Sequence, residues 1–240
     1  MRTFITMSLC VFVASSVMSA DTLTYVGGSD VDDLDGVIDK ALPTNPLFRI
    51  TGTDLGAEGL PVTELDGGSD SDYDTDTLLF LDFIGNGANQ VPTGSNIVSA
   101  WLHLWYTNAN LSQDLVDIYR LTESFDSDTT YSNFGDGTGV AYSGADGRSQ
   151  EFGTGYRVEV EIDVTAEVTK WVEDGVDNFG WGFSQESTNS CEWTSVSADG
   201  SGTSGNSFNP TLVVNYTPEP ATMSLLALGG LALIRRRRRR

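Results

Sequence analysis

Apolar residues run together at the two ends of the chain and come in short, turn-bounded stretches between them. In the middle, LLFLDFI (78–84), NIVSAWLHLWY (96–106), LVDIYRL (115–121), YRVEVEIDV (156–164), FGWGFSQ (179–185) and PTLVVNY (210–216) are rich in β-branched and aromatic residues. Gly, Asp, Ser and Thr flank them, which predicts six strands. In TAEVTKWVEDG (165–175) the spacing changes: Val164, Val168, Trp171 and Val172 recur on one helical face, predicting a short helix that ends at Gly175. Strands of this length, in a body of about 197 residues, predict an all-β fold, a single jelly-roll-like β-sandwich with one helix covering an end.

The apolar ends read differently. Residues 1–20 carry one cation at Arg2, an apolar stretch over 4–14 and small residues up to Ala20, the arrangement of a secretory signal peptide cut near Ala20. Met18 stands three before that cut, where a smaller residue is usual, so the cut can shift by a residue or two. Cys10 follows Met7, Ser8 and Leu9 and lacks the small neighbour expected beside a lipidated cysteine. At the rear, fourteen residues, 221–234, separate Pro220 from six arginines. A comfortable membrane span takes about 20 residues, so this run suits a thin or compressed bilayer, with the arginines at the cytoplasmic headgroups and the body outside. Three segments are therefore expected: a signal peptide over 1–20, a domain over 21–217 and a sorting or anchor segment over 218–240, its apolar part a helix.

Charge sharpens that division. The whole chain has a formal net charge of −21. Seven of its 13 basic residues are Arg2 and the arginines 235–240, leaving six against 33 acidic residues in 21–217, a net charge near −27 for that segment. Such a field keeps the domain soluble, attracts cations, and excludes nucleic acid and anionic membrane surfaces as partners. Cysteine adds nothing: once Cys10 leaves with the signal, Cys191 stands alone and no internal disulfide can form.

Pro218, Glu219 and Pro220, then the apolar run, then the cluster opening with Arg235 and Arg236, resemble the PEP-CTERM sorting tail of exported bacterial proteins. That tail is also called an ice-binding protein C-terminal domain, a label that carries no ice affinity. The resemblance implies recognition by an exosortase-type membrane protease, transient membrane anchoring, removal of the tail, and delivery to the cell surface or extracellular matrix. An uncut C-terminal anchor is the alternative.

The body resembles the DNRLRE-type domain of secreted proteins over about residues 67–216. LLFLDF, VPTGSNIVSAWLHLWY, IYRLTESFDSDTTYSNF and PTLVVNY carry part of the likeness. VEIDVTAEVTKWVEDGVDNFGWGF carries most of it, through Asp163-Val164-Thr165, Trp171, Asn178 and Gly180. The chain departs from the pattern in its first 45 mature residues and at Leu81, Ser132 and Phe134, where that family often has Arg or Lys, Trp and Asn. The resemblance implies an extracellular accessory or glycan-binding module that is not itself a catalyst.

The candidate chemistry agrees with a non-catalytic reading. With His103 the only histidine and no G-x-S-x-G elbow, a Ser/His/Asp site has little to build on. A zinc site would have only His103 and Cys191. Paired carboxylates of a polysaccharide hydrolase remain open among so many acids. Alternation along 96–106 places Val98, Ala100, Leu102, Leu104 and Tyr106 on a core face and Ser99, Trp101, His103 and Trp105 on the other. Outward, the Trp101-His103-Trp105 row forms a stacking platform for the sugar rings of an extracellular polysaccharide; covered by a loop or by the N-terminal segment, it is a second small core. In DGGSDSDYDTDT, Asp70, Asp72, Asp74 and Asp76 alternate and fall on one side of an extended backbone, as solvated turn residues or as oxygen ligands for Ca²⁺. The stretch misses the EF-hand register, with Thr77 and Phe83 where glycine and glutamate belong. DVDDLDG (30–36) misses it too, at Val31. The expectation is an exported surface or matrix protein that binds polysaccharide, with a ligand-free structural matrix protein as the rival.

Overall fold

The computed structural model describes residues 20–27, 34–39, 44, 50–51, 61–66, 75–108, 114–135, 147–185, 190–194 and 209–218. They fall in one compact unit, Ala20–Glu219; the other unit, Met1–Ser19 with Pro220–Arg240, lies outside them.

All ladders between strands are antiparallel, and they form two sheets. The larger contains β1 (Asp21–Val26), β3 (Ile50–Thr51), β4 (Pro61–Asp66), β6 (Asn96–Asn108), β9 (Gly155–Asp163), β11 (Ser190–Thr194) and β12 (Thr211–Thr217). Its order is β1-β12-β6-β11-β4-β3, with β9 on the other edge of β6. The smaller contains β2 (Leu34–Asp39), β5 (Thr75–Phe80), β7 (Asp114–Arg120), β8 (Arg148–Phe152) and β10 (Trp181–Gln185), in the order β2-β5-β10-β7-β8. Alternate residues of both sheets point inward and share one core: Leu102 and Leu104 of β6 and Leu212 of β12 from one side, Val116 and Ile118 of β7 and Phe183 of β10 from the other. The molecule is therefore the expected sandwich.

The one helix among the described residues, α1 (Thr165–Val172), buries the predicted face: Val164, Val168, Trp171 and Val172 are all buried. Trp171 meets Trp181 edge-on at 4.8 Å between ring centroids and lies 6.1 Å from Phe83, while Phe83 stacks on Trp181 at 6.5 Å. Backbone bonds fasten the helix to β6 and the turn before it, from Val164 N–H to the Ala100 carbonyl at 3.0 Å and from Gly94 N–H to the Val172 carbonyl at 2.8 Å. Gly175, at φ 70, ends the helix in the left-handed conformation that glycine adopts without steric cost.

Two boundaries and one face differ from the pattern reading. The 78–84 run stops being a strand after Phe80, yet Leu81 and Phe83 stay fully buried because they turn into the core beneath α1. The 179–185 run starts at Trp181, since Gly180 adopts φ 88 and sits so close to the Leu79 carbonyl that a Cβ would collide with it. Val98 is not on the core face; it is 56% exposed, while its neighbour Ile97 is buried. The ladder explains this: Ser99 pairs with Asn215 and Ile97 with Tyr216, so β6 spends one extra residue opposite β12 and the alternation flips across that bulge. Strands β1, β2, β3, β4, β8 and β11 lie outside the six runs read as strands. Among the described residues no helix is long and apolar enough to cross a membrane, and the 221–234 run lies outside them.

Candidate functional site

β6 runs between β12 and β9, so the residues that flank its outward row follow from register. Trp101, His103 and Trp105 pair with Asp163, Glu161 and Glu159 of β9. On the other side, Trp101 and His103 pair with Val213 and Thr211 of β12. Beyond β12, β1 pairs Thr22 with Asn215 and Thr24 with Val213. The N-terminal strand thus extends the sheet sideways and does not lie over the row.

The described part of the face is largely polar. Trp101 is 38% exposed, and His103 and Trp105 are half-buried among their neighbours. His103 Nδ1 lies 3.0 Å from Glu159 Oε1 and 3.9 Å from Glu161 Oε1, so the imidazole is cradled between two exposed carboxylates. Across the sheet the Thr22 hydroxyl donates to Asn215 Oδ1 at 2.6 Å and the Asn215 amide to the Ser99 hydroxyl at 2.9 Å. Along β9 the tryptophan row is therefore flanked by carboxylates and along β12 by uncharged hydroxyl and amide groups, while β11 places Glu192 in register with Thr107 beyond Trp105. The sequence reading found the row but passed over Glu159 and Glu161. The signal was present in YRVEVEIDV, whose acids alternate with its core residues.

Asp163 belongs to this flank but works at the helix. Its Oδ1 accepts from the Thr165 hydroxyl at 2.6 Å and from the Thr165 N–H at 3.0 Å, satisfying an amide that the first turn leaves open. The Thr165 hydroxyl bond holds the Asp163 carboxyl below the usual aspartate range; the Thr165 amide and the Arg148 charge act in the same direction and outweigh its partial burial. Thr165 Oγ1 in turn accepts from Ala100 N–H at 2.9 Å. Asn178 donates to the Leu81 carbonyl at 3.0 Å and accepts from Gly180 N–H at 3.0 Å. Asp163, Thr165 and Asn178 are thus occupied in closing the helix end of the sandwich.

A charged pair that the pattern did not reveal lies beside them. Glu167, on the first turn of α1, is 2% exposed and forms an ion pair with Arg148 of β8. Arg148 also reaches Asp163 electrostatically. The pair ties the smaller sheet's edge strand to the helix, 19 residues away in sequence.

Of the alternating aspartates, Asp70, Asp72 and Asp74 lie outside the described residues; Asp76 is half-buried on β5. Among the described residues no group of three His, Cys, Asp or Glu side chains is placed to hold a metal ion. Cys191 falls on β11.

The remaining candidates are at the end of the chain. β12 keeps its ladder as far as Thr217, paired with Asn96, and Pro218 follows at once. Glu219, Pro220, Arg235 and Arg236 lie outside the described residues. Residues 217–240 match the PEP-CTERM protein-sorting motif. That motif marks an exported protein sorted to the cell surface through an exosortase, which is a membrane protein. The PEP-CTERM segment covers the last 24 residues and leaves the sandwich itself unassigned. No curated protein matches the chain.

Proposed function

We propose that this surface-sorted sandwich is a non-catalytic polysaccharide-binding protein, and that the outer face of β6 is its binding face. The observation that carries the reading is the row of Trp101, His103 and Trp105 on an outward sheet face beside hydrogen-bonding groups. Aromatic rings presented this way stack on the apolar faces of sugars, while neighbouring hydroxyls and carboxylates bind their hydroxyl groups. Trp101 and Trp105 stand four residues apart on one strand, about 13 Å by strand geometry, a separation suited to a polymer with several rings and not to a single sugar. In this reading the exosortase removes the tail and the domain takes its place in extracellular polymer, in line with the glycan-binding role implied by the DNRLRE likeness.

The exported protein should bind at least one member of a panel of extracellular polysaccharides saturably, and the Trp101→Ala/Trp105→Ala variant should lose that binding while keeping its melting temperature within a few degrees. Absence of binding by the folded parent to every polymer, with and without Ca²⁺, would leave the ligand-free structural matrix protein as the better reading.

A further inference from the structure

Carboxylates border the tryptophan row, and that border narrows the ligand. We infer that the polysaccharide taken by this face carries protonated amino groups, as a glucosamine polymer does. The inference rests on the polysaccharide reading above and adds the chemical class.

Three observations carry it. First, Glu159, Glu161 and Asp163 are exposed carboxylates standing in register with Trp105, His103 and Trp101, each one strand away, about 4.8 Å. A sugar stacked on either tryptophan therefore has a carboxylate beside its edge. Second, the one basic side chain among the described side chains of this face is His103, which lies within reach of both Glu159 and Glu161, and both glutamates are exposed. Third, beside Trp101 and His103 the opposite flank, Thr211, Val213 and Asn215 with Thr22 and Thr24 beyond, is uncharged, while at the Trp105 end β11 brings a further acid, Glu192, into register with Thr107 of β6.

Charge complementarity decides among the glycan classes. Uronate-bearing or sulfated polymers would meet three carboxylates backed by a domain near −27 and be repelled. A neutral polymer gains the stacking and donates hydroxyls to the carboxylates, but those bonds have no opposite charge behind them. An ammonium group on the sugar makes charge-assisted bonds to the same oxygens and is attracted wherever it lies over the face of a tryptophan ring.

The test compares two oligomers with the same ring and linkage, a glucosamine hexamer and its fully N-acetylated counterpart, titrated into the exported protein at pH 6 and low salt. The amino hexamer should bind about tenfold more tightly than the acetylated one, as expected for two or three exposed charge contacts. Raising the salt to about 0.5 M should erase the difference. Glu159→Gln/Glu161→Gln should bring the amino hexamer to the affinity of the acetylated one and leave the latter unchanged; the salt titration on the parent tests the same point without any substitution. Equal or tighter binding of the acetylated hexamer, still lost in Trp101→Ala, would overturn the amino-glycan inference while the stacking face stands. Binding of an alginate only in the presence of Ca²⁺ would overturn it in favour of metal-bridged acidic glycan. Failure of the folded parent to bind any of these, or any neutral polysaccharide, would remove the binding face itself.

Discussion

Two pairs of tryptophans divide this molecule. Trp171 and Trp181 meet edge-on beneath α1, with 2% and none of their surface exposed, whereas Trp101 and Trp105 stand on the outside of β6. The first pair closes one end of the core with Phe83; the second sits between carboxylates and hydroxyls on an open sheet face. The residue type is the same, and only position relative to the two sheets separates a packing role from the proposed recognition role.

The contrast can be broken most directly from the inside. Trp171→Ala removes the ring that fills the space between Phe83 and Trp181 and should cost about 4 kcal/mol. For a body of this size that lowers the melting temperature by roughly 10 °C, measurable by calorimetry. Next comes the buried charge. Glu167→Ala leaves Arg148 without its buried partner and should cost about 3 kcal/mol, whereas Arg148→Met/Glu167→Leu, which removes both charges, should recover most of that loss in denaturant unfolding. Glu161→Gln, whose carboxylate is 62% exposed, should change stability by less than about 0.5 kcal/mol, so two glutamates of one domain differ several-fold in weight.

Acid sharpens the comparison further. The Asp163 carboxyl is held below its ordinary value in the folded state, so its stabilising effect is fully present above about pH 4 and is lost as the pH falls through the lowered value. The stability difference between the parent and Asp163→Asn should be constant above about pH 4 and shrink below it; a difference that grows on acidification would contradict the Thr165 arrangement. On the outer pair the effect on stability is again small: Trp101→Ala should change the unfolding free energy by less than about 0.5 kcal/mol, since the residue is already 38% exposed, while abolishing ligand binding.

What could be read from the sequence follows the same division. Runs dense in apolar residues, such as 96–106 and 210–216, gave themselves away, as did the helix, because burial demands a periodic pattern. β8 did not: RSQEF has a single apolar residue, Phe152, which is its one fully buried position, and the strand is otherwise held by its pairing with β7. β1 alternates Leu23 and Tyr25 with threonines, and only Tyr25 of the six is fully buried, too weak a signal to separate from a loop. Val98 was misplaced because a bulge depends on how β6 meets β12, a relation between distant segments that alternation within one strand does not contain. Glu167 looks like a solvated helix residue until β8 brings Arg148 against it. The outward row itself was legible, since every second residue of a buried strand faces out; its acidic border was not singled out, because it required knowing that β9 is the neighbour.

β1 and β12 hold a last consequence. Asp21 pairs with Tyr216 one rung from Thr217, so the first and last strands of the domain are neighbours and their outer ends meet. Topologically the sandwich is nearly a closed ring. A short bridge from Thr217 to Asp21 would circularise it without disturbing a single ladder, and new ends opened at an exposed turn such as 86–89 would give a permuted protein with the same face on β6.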